Sequence, residues 1–126
     1  MEIESILGQL ANIHPSLCKD IWGSCKPYEC ICGSIAGKII AWLKKNYPEQ
    51  ADQFIYCDGT YIGLGSRATY GTGHCWAEIK LNEGKIIIDG AYAQFFPDDT
   101  PPEVKDRVRL AIFHPNDERQ KWYELR

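Results

Sequence analysis

Cys30, His74 and Asp89 are the residues of this 126-residue chain that could together do covalent chemistry. A cysteine becomes a nucleophile when its thiolate is stabilised, a histidine lies within hydrogen-bond reach, and a third group fixes that histidine's tautomer. Cys30 falls at the predicted start of a helix, where unsatisfied N–H groups and the helix dipole favour a thiolate. His74 opens a predicted strand, and Asp89 closes the next one just before Gly90. The chemistry would be acyl transfer at an amide or ester carbonyl, and it needs no cofactor. The backbone N–H of Cys30 would be one oxyanion donor. A second would come from the Ser24–Cys25 loop or from the Gln94 side chain. Trp76 shares the strand face of His74 and would wall the cleft, or simply pack.

The chain holds six cysteines: Cys18, Cys25, Cys30, Cys32, Cys57 and Cys75. The first four are clustered, which raises a metal or redox site. Cys30 and Cys32 are one residue apart and no CxxC pair occurs, so the usual zinc spacing is missing and no metal is expected. Free thiols in a reducing cytoplasm are the expected state. Cys75 shares a strand face with Ile79 and Leu81 and is expected in the core. His14 and His114 each precede a proline and read as loop punctuation.

The elements that must position these residues follow from periodicity. Ile3, Ile6, Leu7, Leu10 and Ile13 have helical spacing, and His14–Pro15 should end that helix. A second helix is predicted from near Glu29 to Asn46, before Pro48, with Lys44 and Lys45 near its C-terminus. Ile35, Ile39, Trp42 and Leu43 form its large apolar stripe, with Cys32 close by. Cys30, Ser34, Gly37 and Ala41 form a stripe of small residues suited to close packing. On this ground Cys30 is favoured over Cys32 as the nucleophile, because a buried thiol is inert. Strands are predicted over Gln53–Cys57, Gly73–Leu81 and Lys85–Asp89, with a glycine-rich loop over the site between the first two. The Ile86–Ile88 run predicts burial on both faces. A last strand is predicted over Arg107–Phe113, after a turn or short helix, and a short helix from Asn116 to Trp122 and Tyr123. A tight Glu83–Gly84 turn would set Asp89 opposite Glu78. That is four residues from His74, about 13 Å along a strand. The triad therefore demands a different register, from a wider loop or a bulge.

The residues GHCWAEI followed by IIIDGAYAQF resemble small bacterial and phage members of the papain-like and transglutaminase-like cysteine enzymes. The resemblance rests on His74, Trp76, Ile88, Asp89, Gln94 and Phe95, and spans about residues 28–96. It implies an α+β fold in which a cysteine-headed helix packs on an antiparallel sheet carrying the histidine and the acid. It also implies a nucleophile followed by small residues, with a serine four positions on. Cys30, Gly33 and Ser34 meet that pattern, whereas reading from Cys32 places Ala36 there. The implied activity is that of a protease, amidase, deamidase or transglutaminase-like transferase acting on a protein or peptide amide. The rival readings are an inactive binding module of the same fold and a cysteine-cluster metal or redox protein.

Composition sets the outer bounds. With 44% hydrophobic and 25% charged residues the chain reads as one globular domain over residues 1–126, not as a disordered segment. A net charge of −3 without a basic run argues against nucleic acid. No secretory signal and no membrane-length apolar run is visible, so a cytoplasmic protein without membrane contact is expected.

Overall fold

The structure is a computed structural model that describes residues 2–22, 32–65, 72–97 and 99–125. Helix α1 (Ile3–Trp22) does not stop at His14–Pro15 but runs through the proline. Pro15 removes one backbone donor from the helix ladder. The buried stripe of Ile6, Leu7 and Leu10 nevertheless continues in phase through His14 and Cys18, and its burial outweighs the local loss. Helix α2 (Cys32–Asn46) buries Ile35, Ala36, Ile39, Ile40 and Leu43. Each of its fully buried Ile or Leu side chains is worth roughly 1.5–3 kcal/mol. Its predicted start near Glu29 lies outside the described residues. A close approach occurs at Gly33, outside the small-residue stripe, where an added Cβ would lie 3.1 Å from the Tyr56 hydroxyl. At Gly37 nothing comes within 4 Å.

A 3-10 turn (Pro48–Gln53) leads into β1 (Phe54–Tyr61), which extends past the predicted end at Cys57. Then follow β2 (Thr72–Lys80) and β3 (Lys85–Asp89), a 3-10 turn (Tyr92–Phe95), and helix α3 (Pro102–Arg107). Strand β4 (Ala111–Phe113), a 3-10 turn (Glu118–Trp122) and β5 (Tyr123–Leu125) complete the chain. The five strands form one antiparallel sheet in the order β4-β3-β2-β1-β5. Two predictions near the C-terminus are corrected. Arg107 belongs to α3, so the last predicted strand shrinks to β4. The predicted terminal helix is a single 3-10 turn, capped by Asp117 accepting from the Arg119 N–H, and Tyr123 starts an edge strand instead. The Tyr123 ring is buried against Tyr61 of β1, with centroids 5.3 Å apart, and that packing draws the segment into the sheet.

Both faces of the sheet are covered. Phe54, Ala77, Ile79, Ile86 and Ile88 face α1 and α2. Cys57, Tyr61, Trp76, Ile87, Phe95, Phe113 and Tyr123 form a second, largely aromatic cluster on the other side. The Ile86–Ile88 run divides between the two, as its uninterrupted apolar character predicts. Among the described residues no helix is long and apolar enough to cross a membrane.

Candidate active site

The register between β2 and β3 decides whether His74 and Asp89 can meet. Lys80 pairs with Lys85, and the Leu81 N–H donates to the Gly84 carbonyl, so the chain reverses at Asn82–Glu83. The turn is centred one position earlier than Glu83–Gly84, and this alone shifts the register by two residues. The ladder ends at Ala77↔Ile88, and one further step sets Asp89 opposite Trp76. His74 is then its diagonal neighbour on the same face, within reach of two polar side chains. The structure thus meets the register demand through a displaced reversal: four residues, 81–84, separate the paired strands, and no bulge interrupts their register.

Asp89 is fully buried and accepts three hydrogen bonds. His74 Nε2 lies 2.7 Å from Oδ2, the Tyr123 hydroxyl donates to the same oxygen at 2.7 Å, and the Ala91 N–H donates to Oδ1 at 3.0 Å. Because a carboxylate only accepts, Nε2 of His74 carries a proton, and Nδ1 is the ring nitrogen left for other partners. Gln94 Nε2 lies 3.2 Å from Nδ1 and donates to the Ala91 carbonyl at 3.0 Å. That acceptor fixes the orientation of the Gln94 amide. The His74 ring is itself buried and clamped by aromatic rings, edge-on to Phe95 at 4.8 Å and stacked on Trp76 at 6.1 Å.

The thiol that meets His74 is that of Cys32, at the N-terminal end of α2. Its thiol adjoins the His74 ring and the backbone N–H of Cys75, both of which act to stabilise its charge. Burial pushes the Cys32 thiol up, but the hydrogen bond and charge of His74 and the Cys75 N–H together outweigh burial and bring it below its ordinary value. Burial likewise pushes His74 down, yet the charge and hydrogen bond of Asp89, helped by Cys32, carry it from 6.5 up to about 9. A lowered thiol beside a raised imidazole shifts the balance towards a thiolate–imidazolium pair.

Cys30 and Cys25 lie outside the described residues. Cys32, set aside in the sequence as an apolar-stripe thiol, does touch the helical core cluster, but it is only partly buried and its sulfur reaches His74. Trp76 corrects the expectation of a cleft wall. It is fully buried and donates its indole N–H to Glu78 at 2.9 Å, so it backs the His74 ring from inside the second cluster. Glu78, bonded to Trp76 and 3.2 Å from Lys85 Nζ, is no partner for the histidine. Cys75 is also displaced from its expected place, being half-buried in hydrogen-bond contact with Cys32 and with the Tyr56 hydroxyl.

His14 is not loop punctuation. It is buried inside α1, with Nε2 2.9 Å from the Gly90 carbonyl and 3.3 Å from the Cys18 sulfur. Burial dominates and holds its pKa below the usual value. Tyr123 and the Ala91 N–H, which complete the Asp89 shell, escaped the sequence reading. A three-residue terminal strand carries no periodicity, and no local pattern announces a backbone donor. Among the described residues no three His, Cys, Asp or Glu side chains converge on a point where a metal ion could be held. Comparison of the chain with protein-family models, curated proteins and solved structures finds no match.

Proposed function

We propose that this protein is a cysteine-dependent acyl-transfer enzyme of papain-like or transglutaminase-like type, with Cys32 as nucleophile, His74 as acid–base and Asp89 as the group that orients it. The observation that carries this reading is the His74 ring set between the Cys32 thiol and the Asp89 carboxylate, 2.7 Å from the latter, with the thiol lowered and the imidazole raised. In the reaction, the Cys32 thiolate adds to an amide or ester carbonyl. The carbonyl oxygen takes the negative charge, facing the N-terminal end of α2. His74 then gives its Nδ1 proton to the leaving amine or alcohol as the tetrahedral adduct collapses to a thioester. Water, or a second amine, attacks the thioester while His74 takes its proton, and expulsion of the thiolate restores the resting pair. Asp89 holds the ring throughout and favours the imidazolium. Gln94, held at the Nδ1 edge of the ring by Ala91, supplies an amide N–H at the reacting end of the site.

The test is acylation with p-nitrophenyl acetate, followed by peptide mass spectrometry. The expected result is a burst of nitrophenol matched by acetyl on Cys32, absent in Cys32→Ser and in His74→Ala. Alkylation by iodoacetamide should find Cys32 reactive well below the ordinary thiol value of about 8.5. Acetylation of Cys30 in place of Cys32, or none above the rate of a free thiol, would overturn the assignment. Adding a primary amine then separates hydrolysis from transfer by the product formed.

A further inference from the structure

Cys75 stands beside Cys32, and its thiol has no part in the acyl transfer. The two thiols are close enough for the charge of one to act on the other. The Cys75 sulfur lies 3.8 Å from the position a Cβ on the neighbouring Gly33 would take. On its other side Cys75 bonds to the hydroxyl of Tyr56, a residue 46% exposed, so the pair borders solvent. The other described thiols are placed differently. Cys18 is sealed against His14, and Cys57 is buried on the far face of the sheet, its thiol pushed up to about 12 chiefly by burial. Cys32 and Cys75 are the partly buried thiols among the described residues, and they are neighbours.

We propose that Cys75 is a resolving thiol for Cys32: a hydroperoxide oxidises Cys32 to a sulfenic acid, and Cys75 captures it as a Cys32–Cys75 disulfide that closes off the nucleophile reversibly. In the first step the Cys32 thiolate attacks the distal peroxide oxygen. An S–O bond forms, the O–O bond breaks, and the departing alkoxide or hydroxide takes a proton from solvent. In the second step the Cys75 sulfur attacks the sulfenyl sulfur. The S–S bond forms, and the hydroxyl leaves as water with the Cys75 proton. The pair loses two electrons to the peroxide in all, and a small-molecule dithiol returns them by exchange. Capture by a neighbouring thiol halts the oxidation ladder before its irreversible sulfinic and sulfonic rungs.

The inference rests on the reactive Cys32 thiolate proposed above, and the experiment separates the two. Full-length protein is treated with hydrogen peroxide near stoichiometry, blocked with iodoacetamide and mapped by peptide mass spectrometry before and after dithiothreitol. The expected product joins the Cys32 and Cys75 peptides, and dithiothreitol restores Cys32 alkylation in full. In Cys75→Ser, irreversible oxidation of Cys32 should rise by about ten-fold or more. Over-oxidised Cys32 beside a still alkylatable Cys75 in the unaltered protein would overturn the inference and leave the acyl-transfer reading standing, as would a disulfide from Cys32 to Cys25 or Cys30. A Cys32 that neither alkylates at neutral pH nor oxidises would overturn both.

Discussion

Asp89 receives three donors in a fully buried site, and their removal should have unequal effects. Asp89→Asn deletes the charge that does most to raise His74 and turns one acceptor into a donor facing a donor. The imidazolium loses its support and the Cys32 thiolate loses its counter-charge. Acylation at neutral pH should fall roughly 10²- to 10⁴-fold, the usual range for a lost acid–base contribution. The alkylation profile of Cys32 should move up in pH. Tyr123→Phe removes one hydrogen bond to the same carboxylate but leaves its charge. That change should cost about 1–3 kcal/mol of stability in urea unfolding, with Cys32 still reactive below the ordinary thiol range. Equal loss of reactivity in the two variants would show that Tyr123 acts in the chemistry itself.

The placement of α2 depends on the turn after β3. A Cβ at Gly90 would lie 2.5 Å from Ile39 Cδ1, 2.6 Å from Ile35 Cγ2 and 3.1 Å from His14 Nε2, so α1 and α2 both close onto bare backbone there. Gly90→Ala should force the helix that carries Cys32 off the strand end that carries Asp89. The expected cost is about 1–3 kcal/mol, with slower acylation of a protein that still folds; wild-type kinetics would refute this dependence. None of that contact was legible in the sequence, because it joins residues far apart along the chain. Local pattern did reveal much. Alternation placed β2 and β3 and put His74 and Asp89 at their ends, and the stripe of Ile35, Ile39 and Leu43 placed α2. It failed where a single position carried the outcome. Helical phase assigned Cys32 to a buried stripe, yet at the first turn of a helix a side chain can touch the core and still reach past the strand end. The sequence marks Asn82–Glu83–Gly84 as the turn but leaves open where in it the chain reverses. Gly84 takes its positive φ of 97° just after the reversal at Asn82–Glu83.

At the scale of the whole molecule the sheet has a core on each side, and the site lies where the N-terminal end of α2 meets the C-terminal end of β3. Its charge pair should leave a distinctive mark on stability. His74 has a folded pKa of about 9 against 6.5 for an ordinary histidine. Its stabilisation is complete below 6.5 and is lost as pH rises through 9, because there the folded state holds a proton that the unfolded state has released. Cys32 has the opposite sign: its lowered folded pKa gives stability that is present above its ordinary value and lost as pH falls through the folded one. Where Cys32 is already ionised, folded and unfolded chains carry the same number of protons on this pair, and the two slopes cancel. His14, with its pKa lowered by burial, adds a loss of stability as pH falls through the ordinary histidine range. Cys32→Ser removes one side of the balance. With Asp89 still raising His74, that variant should lose stability steadily from pH 6.5 towards 9, by at most about 3 kcal/mol, while the unaltered protein stays nearly level wherever its Cys32 is ionised. Urea unfolding at several pH values reads both slopes. A variant as level as the parent would mean that His74 carries no extra proton in the folded state, and the thiolate–imidazolium pair would have to be abandoned.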